Sequence, residues 1–275
     1  MDAVTVIALV AAVVAGARST WSPCGVSMLS TITPVTEATR QRTYGVTVAW
    51  FLAGALLGGF LFGLLGAGLA VVGGVLDLST EATLGAAGLL ALAGGAFDAR
   101  VGGVTLPGHG RQVNETWLTR FRSWVYGGGF GLQIGTGLAT YIVTSTVYLS
   151  LLVAGLTASP ATAVAIGLVF GGVRGLAIFL GTHITTMERL TSFHRRFEAA
   201  REPSRRVTIG VQVALAAVAA GLAWGALAVV AVALVAAVIA ATIQPDVVRV
   251  RPGATGVTTQ VELTERPRTL APSAG

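Results

Sequence analysis

Lysine is absent from this 275-residue chain, and cysteine occurs once, at Cys24. Charge is scarce: acidic and basic residues together make up 11% of the sequence, where a soluble domain carries roughly 25%. So little charge cannot cover a water-facing surface, which argues against a soluble globular fold. A single cysteine excludes an internal disulfide. No Walker-type phosphate loop is present, which argues against ATP-driven transport by this chain alone. Paired carboxylates and Cys/His metal-ligand spacing are missing too, so nothing calls for a metal or a cofactor.

What is present is apolar. Hydrophobic residues make up 53% of the chain, the mean hydropathy is +0.77, and there are 37 glycines. This composition reads as an all-α, polytopic membrane protein, because small residues let membrane helices approach closely. Crossing the hydrocarbon takes about 20 apolar residues. Six spans are expected, at about 4–33, 46–75, 82–98, 125–156, 161–183 and 208–242. The apolar run at the N-terminus precedes its first basic residue, Arg18, and follows Asp2. A secretory signal wants positive charge before the run, so a retained first helix is expected.

The loops sort by charge. Arg40 and Arg42 lie in the first loop. The third holds Arg100, Arg111, Arg120 and Arg122, and the fifth Arg189, Arg195, Arg196, Arg201, Arg205 and Arg206. The second and fourth have no basic residue. The positive-inside rule places loops one, three and five in the cytoplasm and both termini outside the cytoplasmic membrane. The net charge of +6 is thereby explained by orientation, with lipid as the partner and nucleic acid excluded. Within 99–124, Trp117, Phe121 and Trp124 read as an amphipathic cytoplasmic segment. The tail at 244–275 reads as a small extracytoplasmic β-hairpin or as disorder.

Six spans with both ends on one side divide into halves at 1–98 and 125–243, an inverted 3+3 repeat. The first span breaks in "WSPCGVSML" and the fourth in "GGGFGLQIGTGLATYIVTS". Irregular backbone at membrane depth survives only when buried in protein or lining a cavity. Pro23 marks the first break and puts Cys24 near such a cavity. The fourth span adds polar candidates for a substrate pathway: Gln133, Thr136, Thr140 and Tyr141. Arg174, inside the fifth span, is the remaining candidate: it either snorkels or forms an anion site. Asp98 reads as a helix-end polar residue and His183 as interfacial.

"SPC" in a broken first span of a six-span chain resembles the CcdA/DsbD membrane domain. The resemblance implies passage of reducing equivalents across the membrane, from a thioredoxin-like thiol partner toward extracytoplasmic acceptors such as cytochrome c maturation. It makes Cys24 the catalytic thiol. The family's second cysteine is expected near Gly135 or Thr136, and neither is cysteine. A resolving thiol would then come from a partner, or from Cys24 of a second copy in a homo-oligomer. Two other readings stand beside this one: a small-solute or anion transporter on the same scaffold, and a non-catalytic membrane subunit.

Overall fold

The structure, a computed structural model, describes residues 1–104 and 121–243. The amphipathic segment around Trp117 and the 244–275 tail lie outside the described residues. Eleven helices are described: α1 (Ala3–Arg18), α2 (Pro23–Thr31), α3 (Pro34–Thr39), α4 (Tyr44–Leu76), α5 (Thr80–Ala99), α6 (Ser123–Gly135), α7 (Thr146–Leu156), α8 (Pro160–Leu176), α9 (Met187–Ala199), α10 (Arg201–Trp224) and α11 (Ala226–Thr242). No strand occurs among the described residues. Five helical runs are long and apolar enough to cross a membrane: Ala3–Trp21, Tyr44–Leu76, Thr80–Ala99, Pro160–Gly181 and Met187–Trp224. Helices α7 and α11 are shorter and apolar.

The 33-residue α4 is the central post. Its glycines Gly54, Gly58, Gly59 and Gly63 meet the backbone of neighbouring helices. A methyl group at Gly59 would lie 2.8 Å from Gly171 Cα of α8, and one at Gly131 of α6 would overlap the Phe51 carbonyl. Two helices without side chains at the crossing trade apolar bulk for backbone contact, the packing by which membrane helices associate. Phe62 and Phe170 stack at 4.7 Å further along the α4–α8 seam.

Both expected breaks are present, with different local causes. In the first span, α1 ends in a 3₁₀ turn (Ser19–Trp21), and the chain extends at Ser22 (φ −71°, ψ 156°). Ser22 then caps a new helix, its Oγ accepting from Gly25 N at 3.1 Å. Pro23 occupies the first position of α2, where no amide proton is needed and its fixed φ suits a helix start. Pro23 therefore begins a helix and orphans no carbonyl of a continuing one. In the fourth span, α6 closes with Gly137 in the left-handed region (φ 66°), and helix resumes only at Thr146. The intervening 136–145, with Ile142, Val143 and three threonines, is poor in helix propensity.

The expected sixth span is two helices. Gly225 (φ 79°, ψ −165°) ends α10, and α11 returns alongside it. Val229 faces Gly221, and Ile239 packs with Ile209 and with Ala99 at the end of α5. Only glycine adopts such a backbone freely, and it reverses a run that its uninterrupted apolarity makes look like one long span. Six passes with both ends on one side are not confirmed: five helical runs are long and apolar enough to cross, and α11 turns back beside α10. The Thr242 end of α11 lies beside the Ala99 end of α5. The Ala3 end of α1 lies at the other extreme, because α1 brings Arg18 into electrostatic contact with Asp98.

Two side chains fix peripheral pieces, and each carries a test. Asp2 caps α1 by accepting from Thr5 N at 3.0 Å, and hydrogen bonding from the Thr5 side chain, with this backbone bond beside it, holds its carboxyl below its ordinary 3.8. A depressed folded pKa contributes stability above the unfolded pKa and loses it as pH falls through the folded one. Asp2→Ala should therefore cost about 1 kcal/mol at neutral pH, shrinking toward zero in acid below both pKa values, as read by thermal melts across pH. Helix α9 is more than a basic extension of the next span. Trp21 stacks on Phe197 (4.7 Å) and its Nε1 donates to the Phe197 carbonyl at 2.8 Å, while Ser30 Oγ and His194 Nε2 lie 2.7 Å apart. Trp21→Ala removes both the stack and the donor. It should expose α9 to trypsin at Arg195 and Arg196, with cleavage accelerated about tenfold if roughly 1.4 kcal/mol of docking is lost.

Candidate functional site

The two breaks converge on one guanidinium. Arg174, in the last turn of α8, is 2% exposed. Its Nη1 donates to the Ile134 carbonyl at 2.6 Å, and its Nη2 to Ser22 Oγ at 3.4 Å and Thr140 Oγ1 at 3.3 Å. It thereby joins the break of the first span to the helix end that opens the break in the fourth and to the middle of that break. Its Nε is buried without a hydrogen-bond partner. The Phe170 ring lies 6.0 Å away, and Cys24 is close enough for electrostatic coupling to the guanidinium.

The surrounding dipoles decide what charge this site holds. The C-terminus of α6, whose Ile134 carbonyl takes the Nη1 proton, contributes about −0.5 of a charge, and the N-terminus of α2 about +0.5. These nearly cancel, so the guanidinium charge stays. Its hydrogen bonds among the described residues all go to neutral oxygens. Burying a cation is tolerable when it is paired and hydrogen-bonded. Arg174 has the hydrogen bonds without a carboxylate, so the arrangement suits an anionic group.

The sequence candidates divide. Arg174, Cys24 and Thr140 come together, with Pro23 opening the helix that carries the thiol. Arg174 does not snorkel: its side chain runs into the protein. Cys24 is buried in the first turn of α2, in an apolar cluster with Met28, Phe51 and Phe197. Thr136 Oγ1 bonds back to the Gln133 carbonyl at 2.8 Å and does not reach Arg174. Gln133 supplies only that carbonyl and is not among the groups bonded to Arg174, and Tyr141 packs against the Cys24 cluster. Among the described residues, no three His, Cys, Asp or Glu side chains gather as a metal site needs.

Two buried polar centres were not anticipated. Asp98 accepts from Thr144 Oγ1 at 2.6 Å and Ser145 N at 2.7 Å, far from the role of a plain helix-end residue. Glu37, fully buried, accepts from Arg40 (3.2 Å), Thr47 (2.6 Å) and the Tyr126 hydroxyl. The signal was there in Gln212, an amide inside "GVQVALAAV", and in Asp98, a carboxylate in the last turn of an apolar span. Such groups are expensive in a membrane and mark polar interiors.

Comparison with known proteins places the chain. It is 34% identical over 234 residues to methylamine utilization protein MauF of Paracoccus versutus, covering 83% of this chain and 82% of that one. Identity is 36% over 169 residues to MauF of Paracoccus denitrificans, 61% of each chain. It is 36% over 142 residues to MauF of Methylorubrum extorquens, 50% of this chain and 48% of that one. No family model and no solved structure matches. The resemblance to CcdA/DsbD is corrected by these relatives, which carry another name and the first of which spans 83% of the chain. "SPC" alone misled because a serine cap followed by proline is also an ordinary way to start a helix. With a third of its residues identical across four-fifths of a relative, the chain belongs to the MauF family.

Proposed function

We propose that this protein is a membrane component of methylamine utilization that binds a small anion or small organic acid at Arg174 and carries it across the bilayer. The observation that supports the reading is the buried guanidinium that, among the described residues, hydrogen-bonds to neutral oxygens alone, at the meeting point of two broken helices. Substrate sites formed by interrupted helices near mid-membrane are a recurring device of transporters. Gly135 and Gly171, on the helices carrying these groups, both face Ala55 of α4, so the site lies well inside the longest span. A cationic amine is a poor ligand beside Arg174, so the reading concerns an anion of this metabolism and not methylammonium itself.

The arginine asymmetry supports loops one, three and five facing the cytoplasm, with the N-terminus outside. The return of α11 then puts its Thr242 end on the cytoplasmic side. Arg249 and Arg251 follow in sequence, which agrees with the same bias. The halves at 1–98 and 125–243 fit an inverted repeat in having broken first members, with α11 as an addition. Test: proteoliposomes loaded with formate, acetate or chloride, comparing wild type with Arg174→Ala. Flux abolished by the substitution supports the reading, and equal flux ends it.

A second reading uses Cys24 as a thiol acting with a partner protein. It is favoured by the coupling of Cys24 to Arg174, since a positive charge and a helix N-terminus are surroundings in which reactive cysteines occur. Full function of Cys24→Ser in a cell growing on methylamine would remove it.

A further inference from the structure

Segment 136–145 is held at two places. In its middle, Arg174 Nη2 donates to Thr140 Oγ1. At its C-terminal end, Asp98 of α5 accepts from Thr144 Oγ1 and Ser145 N, and Gln212 Nε2 of α10 donates to Ser145 Oγ (2.8 Å) and Thr146 Oγ1 (2.9 Å). We propose that Asp98 and Gln212 are positioning residues that set where Thr140 stands against Arg174, acting through this non-helical segment. The proposal rests on the Arg174 reading for its functional meaning, but its geometry can be tested alone.

The directions of the hydrogen bonds make the clamp specific. The single proton of Thr144 Oγ1 goes to the Asp98 carboxylate, so the 2.8 Å contact with Thr146 Oγ1 has Thr146 as donor. The proton of Ser145 Oγ goes to the Gly94 carbonyl at 2.8 Å. Both hydroxyls are then left as acceptors toward Gln212, whose amide can satisfy them only with its nitrogen. Acceptor-only groups at the two ends, Asp98 and Gly94 O, thus fix the orientation of an amide between them. Its Oε1 is left buried without a donor. A glutamate or leucine at 212 cannot reproduce the pattern. The clamp is itself braced: Arg205, paired to Glu202 at 2.8 and 2.9 Å, donates to the Asp98 carbonyl at 2.8 Å, and Arg18 supplies a nearby positive charge.

Position 140 reports on the clamp without reference to any ligand. Thr140 is buried, so a cysteine in Thr140→Cys should react slowly with a maleimide in detergent, read by peptide mass to separate it from Cys24. Adding Asp98→Asn or Gln212→Leu should speed labelling at 140 about tenfold, the change expected when local opening loses a buried hydrogen bond. A cysteine at the buried α5 position 91, in Ala91→Cys, should keep its rate. Unchanged labelling at 140 with both substitutions overturns the proposal, and so does equal acceleration at 91, which would mean general loosening. Because no anion is involved, labelling that rises while wild-type liposomes show no flux leaves the clamp standing and ends the transport reading.

Discussion

Arg174→Ala is expected to abolish the proposed anion flux and to weaken anion binding by roughly 100-fold, about 3 kcal/mol, within the range for truncating one member of a buried, hydrogen-bonded charge pair. The expectation follows from what the side chain holds. Alanine leaves the Ile134 carbonyl, Ser22 Oγ and Thr140 Oγ1 without their common donor, and the site loses the positive charge that its helix dipoles do not supply. Arg174→Lys sharpens the test. It keeps the charge but not the planar fork that reaches three oxygens on two chain segments. Binding should fall between wild type and alanine, with flux lost more than binding, because a single ammonium cannot hold both breaks together. Flux and isothermal titration on the three proteins decide the matter. If the alanine variant moves anions as wild type does, the guanidinium is structural.

The second large effect is steric. Gly131→Ala should fail to accumulate as a monodisperse protein, because the added methyl overlaps Phe51 O and lies 2.9 Å from its carbonyl carbon. Overpacking usually costs about 1–3 kcal/mol when side chains can yield. Here the obstacle is α4 backbone, so the cost lies at or above the top of that range. Gly68→Ala is the control: it lies on α4 too, but its methyl would meet nothing within 4 Å. That variant should be neutral or slightly stabilised, by up to about 1 kcal/mol from helix propensity. Size-exclusion profiles and melting temperatures separate the two. A Gly131→Ala protein with wild-type behaviour would show that α4 and α6 do not approach so closely.

These outcomes bear on what the sequence discloses. Apolar runs, arginine placement and the paired interruptions were legible because hydropathy and Pro/Gly punctuation act locally. Arg174 was legible as a costly charge in a span. What hid was whatever depends on pairing across the chain. Cys24 looked like the centre because its neighbours in sequence resemble a redox motif. In space it is a satellite of Arg174, some 150 residues away in sequence. Thr136 and Thr140 stand four apart in the same segment, and only the second reaches the guanidinium, since Thr136 spends its proton on its own helix. Asp98 was undervalued because its partners, Thr144 and Ser145, lie on another span. Gly225 was invisible among 37 glycines, although it alone turns one apparent span into two.

That turn gives the molecule a polarity. Helix α11 travels about 25 Å back along α10 (1.5 Å per residue), so the first and last helices point their free ends at opposite faces of the bundle. Cysteines introduced at those two ends, in Ala3→Cys and Thr242→Cys, should therefore not be joined by a short bismaleimide.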